Sequence, residues 1–454
     1  MAVNKASSRL FLNMVSQVWG RIVSNIGVRL LRLPLLLTVL GVEDFGRWLV
    51  LTSLSSWLSI PNTGTASFAA GSMAMSAGAG DLHAARRTYS DLVFFHSILF
   101  AILSCFAWLT SSLIPLHLWL GIPAGRALEC VRALQLMSLG VLVAGMSETF
   151  GARLKASGRS HILAFWLGGV AWLELLLLMA VLRYTERFDI MAATLPICSF
   201  ILMVGLYVSS RRSLRQVRFD RSCVTWEGQF RLFRKGLYYQ AFPLGNAILL
   251  QGQVLVVQWL LGPASVAVFS TARTLVRVIS QGLEIVNHSV WPEMSLLFGS
   301  RNMGRIAVLH RSSVMFSLGL SIVSVSLFFV SGPSLYALAS GNTLMADRPL
   351  LSCFLVAVPL NALWYTSSMV QLACNRHEGI AKRYLASTLI ALAAAILLTR
   401  SMGIFGAALA TAVSDLLMIP YVLRRSIRIT EDAFKGIMER AFKDMINLSG
   451  RFVP

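Results

Sequence analysis

Five arginines stand where the chain is otherwise apolar. Arg21, Arg29 and Arg32 fall inside the first apolar run, about residues 10–40, a stretch long enough to cross a bilayer. An arginine near the centre of such a span costs about 2.5–3.5 kcal/mol on insertion scales, so three of them need water or a partner. Steps of eight and eleven residues from Arg21 bring the other two within roughly 80° and 20° of it on a helix, and Asn25 shares that face. A second stripe runs through the eighth apolar run, where Arg273, Arg277, Gln281, Glu284 and His288 recur at steps of three and four residues. Stripes that face one cavity make an electropositive chamber suited to a diphosphate or a carboxylate-bearing ligand. Blander readings stand beside this one. Arg21 and Arg32 can snorkel to opposite headgroup layers, which leaves the deeper Arg29 unexplained. Glu284 can neutralise Arg277 in a polar seam that only joins two helices.

Carboxylates within apolar runs supply a second chemistry. Asp415 sits near the middle of the last run beside Thr411 and Ser414, Glu174 lies in the fifth run, and Glu148 lies toward the end of the fourth. A buried carboxylate can carry a proton, and Asn246 and Asn361 could add oxygen ligands for sodium. Against this, Asp415 can be a hydrogen-bonded structural acid, and Glu148 and Glu174 can pair with arginines such as Arg153 or Arg183. The six cysteines are scattered without metal spacing, and the histidines outside the stripe show no ligand pattern. The expectation is no cofactor and no metal centre beyond a coupling ion, proton or sodium.

The elements that must position these residues are spanning helices. With 454 residues, 56% of them hydrophobic and only 13% charged, the chain reads as an integral membrane protein, all-α, with no cleavable signal peptide. About twelve spans are expected, at 10–40, 45–70, 89–114, 127–152, 160–183, 190–210, 237–261, 264–297, 306–331, 347–373, 380–400 and 403–423. The long basic connection 211–236 divides them into a first six-helix lobe, 1–210, and a second, 237–423. Tyr207-Val208 followed by Arg211-Arg212 matches Tyr421-Val422 followed by Arg424-Arg425, and Leu40-Gly41 matches Leu261-Gly262. Such internal similarity suits a transporter built from two parallel repeats. Residues 424–454 read as an inner-leaflet tail helix, with Phe434, Ile437, Met438 and Phe442 on its apolar face.

Loop charge sets the expected orientation. Outer connections hold Arg47, Arg126, Arg183, Arg187, Arg348 and Arg400, and basic residues on the other side outnumber them roughly five to one. Both termini are then cytoplasmic. The net charge of +20 is explained by topology beside an anionic bilayer rather than by nucleic acid. No nucleotide-binding loop, metal spacing or catalytic triad points to an enzyme.

Several motifs carry a resemblance. Leu40-Gly41-Val42-Glu43-Asp44-Phe45-Gly46-Arg47-Trp48, Pro61-Asn62-Thr63-Gly64, Leu261-Gly262-Pro263 through Phe269-Ser270-Thr271-Ala272-Arg273, Trp291-Pro292-Glu293-Met294-Ser295 and Gly403-Ile404-Phe405-Gly406 resemble polysaccharide repeat-unit (O-antigen type) flippases. These belong to the multidrug/oligosaccharidyl-lipid/polysaccharide exporter superfamily. The resemblance implies a V-shaped bundle of two six-helix lobes around a central cationic cavity, in a bacterial inner membrane. It implies flipping of an undecaprenyl-diphosphate-linked oligosaccharide from the inner to the outer leaflet by alternating access. It also implies partners in the phospholipid bilayer and in polysaccharide polymerase or chain-length machinery. The arginines that line the cavity of the related lipid II flippases match Arg21 (or Arg29), Arg47 and Arg273. Two positions depart from the pattern: Gln253 stands where the family often has an acid, and Phe269 where it often has tyrosine. A multidrug or organic-cation antiporter of the same superfamily is the alternative, and a non-transport scaffold a distant third.

Overall fold

The computed structural model describes residues 24, 27–213, 215–299, 301–344, 347–374 and 378–431. Of the expected tail 424–454, residues 424–429 continue the last helix, and the part from 432 on lies outside the described residues. The described residues are helical and contain no strand, and they form two compact units. The first comprises the chain to Ala247 together with Gly262–Val266; the second comprises Ile248–Leu261 and the chain from Ala267.

In the first unit, α1 (Val28–Ser56) is two helices joined at Gly41, whose φ of 73° and ψ of 175° break the helical path. A residue with a Cβ adopts that conformation only with strain, so the glycine makes the turn between the first two spans. The second span continues through a 3₁₀ turn, Trp57–Ser59, into α2 (Ile60–Gly78), with Pro61 in its first turn. There follow α3 (Leu82–Leu113), α4 (Ala127–Ala156), α5 (Ser160–Leu182), α6 (Thr194–Arg211) and α7 (Trp226–Ala247). Between lipid-facing helices the hydrophobic effect adds little, so small residues that let backbones approach decide the packing. A Cβ on Gly64 would meet the Gly236 carbonyl and the Gln240 amide, and one on Gly236 would meet Thr65, so α2 and α7 pack closely. Gln240 seals the contact by donating to the Pro61 carbonyl at 2.7 Å.

Described residues of the connection 211–236 bond to α3, and from Trp226 on they are the first turns of α7. Asp91, 1% exposed on α3, accepts from the Thr225 N–H at 3.1 Å and from the Gln229 amide at 3.3 Å. Arg86 pairs with Asp220 at 2.8 Å. Hydrogen bonds from the Ser222 hydroxyl and backbone N–H, with Arg86 beyond them, hold the Asp220 carboxyl below the ordinary carboxylate range.

Pro243, inside α7, precedes a π turn at Ile248–Gly252, after which α8 (Gln253–Leu261) completes the seventh span. The division between units falls at this break, inside the stretch read as span 237–261. Gly262, with φ +81°, then turns the chain into α9 (Pro263–Gly299), as Gly41 does between the first two spans. The second unit is completed by α10 (Met303–Ala339), α11 (Arg348–Ala373), α12 (Glu378–Met402) and α13 (Ile404–Ile429), with α13 packed between α11 and α12.

Nine of the described helical stretches are long and apolar enough to cross a membrane, which makes this a multi-pass membrane protein. They match nine of the twelve expected spans. The other three are the first, second and eighth, the spans that carry Arg29, Arg32, Arg47, Arg273 and Arg277.

Candidate functional site

The second unit gathers charged and aromatic side chains from four helices. Arg273, Arg277 and Glu284 share one face of α9, as their spacing requires. Arg273 is half-buried; its Nη1 donates to the Leu250 carbonyl at 2.6 Å, and its guanidinium lies 5.1 Å from the centre of the Phe269 ring. Leu250 belongs to the π turn, where the helical hydrogen-bond ladder is disturbed and a carbonyl is available to a side chain. The motif position Phe269 is thus the platform on which Arg273 rests, and it packs against Phe354 at 5.1 Å.

One turn on, Arg277 has Glu284 and Tyr384 as its electrostatic neighbours, and Tyr384 of α12 is in turn within reach of Asp415. Among the described residues, no carboxylate forms an ion pair with Arg273 or Arg277. Asp415, 8% exposed on α13, is fixed through one oxygen: Oδ1 accepts from Asn361 Nδ2 at 2.9 Å and from Trp364 Nε1 at 2.7 Å. No described residue hydrogen-bonds the other oxygen. Trp364 packs against Tyr384 at 5.6 Å, which closes a path from the arginines to the acid. Of the side chains in this path, Trp364 and Tyr384 carried no signal in the sequence. A single aromatic in an apolar run reads as packing until its neighbour is known.

Gln253, at the position where the resemblance leads one to expect an acid, is 1% exposed, and neither amide atom has a hydrogen-bond partner among the described residues. The amide oxygen of Asn287 on α9 is likewise buried and unsatisfied. The side chain of His288 lies outside the described residues.

The first unit disposes of its charges differently. Arg21 and Asn25 lie outside the described residues, and Arg29 is exposed. Arg32 donates to Glu174 at 2.6 Å, so a candidate ligand residue and a candidate coupling acid form a single ion pair. Arg47 is fully engaged: it pairs with Asp44 at 2.6 Å and Glu43 at 3.2 Å and donates to the carbonyls of Leu120 and Gly121. Arg126 extends this network to Asp44 and Glu129. Glu148 pairs with Lys155 at 3.6 Å rather than with an arginine. Asn246 is exposed on α7 of the first unit and is not in the same unit as Asp415. The sequence reading gave His96 no role, but its ring bridges Thr65 at 2.8 Å and Thr149 at 2.7 Å, tying three helices together.

No protein-family model matches the chain, and no curated protein matches it in sequence. Solved structures do. A multidrug resistance MATE family transporter of the MOP superfamily, in its inward-facing conformation, aligns over 89% of this chain and 99% of its own, with a TM-score of 0.69 and 15% identity. The Vibrio cholerae MATE transporter VcmN in its bent form aligns over 94% of this chain and 98% of its own, with a TM-score of 0.63 and 15% identity. A MOP superfamily transporter from Pyrococcus furiosus, for which reverse polarity of the binding pocket is said to suggest a different function, aligns over 93% of both chains, with a TM-score of 0.58 and 14% identity. At these identities the likeness is one of architecture, and the chain has the fold of the MATE transporters.

Proposed function

We propose that the protein is a secondary transporter for an anionic amphiphile, a polyprenyl-diphosphate-linked oligosaccharide moved from the inner to the outer leaflet for surface polysaccharide synthesis. Arg273 and Arg277 carry this reading. Two guanidinium groups one turn apart, neither ion-paired to a described carboxylate and one held in place by a backbone carbonyl, are preorganised to grip phosphate oxygens. The Asp415 carboxylate, with one oxygen fixed and one open, is the coupling group for a proton or sodium. A polysaccharide polymerase would receive the flipped product. A multidrug or organic-cation antiporter is the second reading. It is favoured by the multidrug resistance MATE transporter among the structural matches and by the two acids, Glu284 and Asp415, that share the cluster.

The test is reconstitution. Proteoliposomes carrying monodisperse protein should flip a fluorescent polyprenyl-diphosphate sugar. Arg273→Ala should slow flipping at least tenfold through loss of charge-assisted hydrogen bonds of about 1.5–3 kcal/mol each. Arg273→Lys should restore it only partly, because lysine keeps the charge and loses the planar fork. Unchanged flipping by a well-folded Arg273→Ala variant would sink the proposal. Proton-driven efflux of an organic cation with no lipid flipping would install the second reading in its place.

A further inference from the structure

A cavity of about 590 Å³ opens on the second unit between α12 and α13, lined by none of the residues of the Arg273 cluster. Its walls are two helical stripes. Arg383, Ser387 and Ile390 recur at steps of three and four residues on α12, and Leu417, Tyr421, Arg424 and Arg428 do so on α13. Arg425 adds a fourth guanidinium to the rim. None of these arginines forms an ion pair with a described carboxylate. Arg383 is preset: its guanidinium stacks on the Tyr421 ring at 3.8 Å, and Tyr421 reaches over Gly379, where any Cβ would strike its hydroxyl.

The stripes are graded along the helix axes. Arginines crowd the end at which α12 begins and α13 finishes, and seven residues deeper, about 10 Å along each helix, the lining becomes Ile390 and Leu417, both exposed. The floor is sealed by Ser387, whose hydroxyl lies 2.9 Å from that of Ser414.

We propose that this cavity is a binding site for the phosphate group of an anionic phospholipid, with the acyl chain laid over Ile390 and Leu417. Several convergent guanidinium groups match the oxygens of a phosphate diester, and basic pockets between helices at the membrane face are suited to anionic headgroups. Inorganic phosphate shares the headgroup's chemistry, but it has no use for the apolar half of the cavity. Its lining shares no residue with the Arg273 cluster, and the exposed Ile390 and Leu417 suit an acyl chain, so this is a lipid site distinct from the transport site proposed above.

The experiment uses the full chain, delipidated in a neutral detergent and titrated with dioleoylphosphatidylglycerol or dioleoylphosphatidylcholine under native mass spectrometry. The glycerol lipid should be retained about tenfold more tightly than the choline lipid. Arg383→Gln combined with Arg424→Gln should erase that preference, and millimolar inorganic phosphate should leave the bound lipid in place. A photoactivatable phosphatidylglycerol should crosslink wild-type protein at peptides of α12 and α13, a readout that needs no variant to fold. Equal retention of the two lipids, an undiminished preference in the double variant, or crosslinks confined to other helices would each overturn the proposal. Full displacement by inorganic phosphate would reassign the cavity to a soluble anion and overturn the lipid assignment.

Discussion

The two units differ in how they hold their arginines. In the first, charged and polar side chains singled out above have local partners: Arg32 with Glu174, Arg47 with Asp44 and Glu43, His96 with two threonines, Asp91 with the connection 211–236. In the second, Arg273 and Arg277 have no ion-paired carboxylate among the described residues, Asp415 keeps one oxygen free of described partners, and Gln253 has an unsatisfied amide. Satisfied polar networks fix a structure, and unsatisfied ones are held in reserve for a ligand. The function proposed above places the chemistry in the second unit and leaves the first as scaffold.

The largest effect that tests this contrast is on folding. Asp91→Leu strands the Thr225 N–H, leaves the Gln229 amide only its bond to the residue 91 backbone carbonyl, and fills the space beside Gly228, whose missing Cβ lets the carboxylate approach. Loss of about 1–3 kcal/mol is expected from the stranded donor. It would appear as a lower melting temperature and a poor yield of monodisperse protein, with transport per folded molecule retained. Lost transport in a stable Asp91→Leu variant would break the contrast.

Asp415→Asn should have the reverse signature. The amide oxygen can still accept from Trp364 and Asn361, so the melting temperature should move little. Stimulation of transport by an imposed proton or sodium gradient should vanish. A variant that responds to the gradient as wild type does would make Asp415 structural and put the coupling site elsewhere.

Glu174→Gln gives the smallest effect. The ion pair with Arg32 is partly exposed, with side chains 32% and 20% accessible, and such pairs contribute about 1 kcal/mol or less. Slightly lower thermal stability with unchanged gradient dependence is expected. Abolished coupling in Glu174→Gln would move the chemistry into the first unit and reverse the comparison.

Much of this arrangement was legible in the sequence, for physical reasons that also set its limits. Long apolar runs declare spanning helices, and all nine stretches that pass as spans were found. Their ends were not: α3 begins at Leu82 rather than near 89, and α10 runs to Ala339 rather than 331. Hydropathy marks where a helix meets water, whereas the hydrogen-bonded ladder continues beyond it. Gly41 and Gly262 were matched by two-residue likeness, and both take positive φ at equivalent turns. The face shared by Arg273, Arg277 and Glu284 followed from spacing alone. Partners distant in the chain did not. A nearby arginine such as Arg183, nine residues on, was one partner open to Glu174, but it bonds Arg32, 142 residues away. Asp91 is an acid just inside the expected third span, and the sequence offered no reason to single it out. Only its contacts show that it anchors a loop.

The seventh span has one more consequence, which concerns how such a chain can be divided or inherited. Its first half, α7, packs on α2 in the first unit, and its second half, α8, belongs to the second unit. A cut in the basic connection near residue 214 therefore does not separate two modules. It leaves the carboxy-terminal fragment holding a helix that the amino-terminal fragment needs to cover Gly64 and Thr65. The halves are interlocked in the manner of a swapped segment within one polypeptide. Expressed alone, the amino-terminal half would have a groove along α2 and the carboxy-terminal half an α7 without its partner. Co-expressed fragments would find each other through α7.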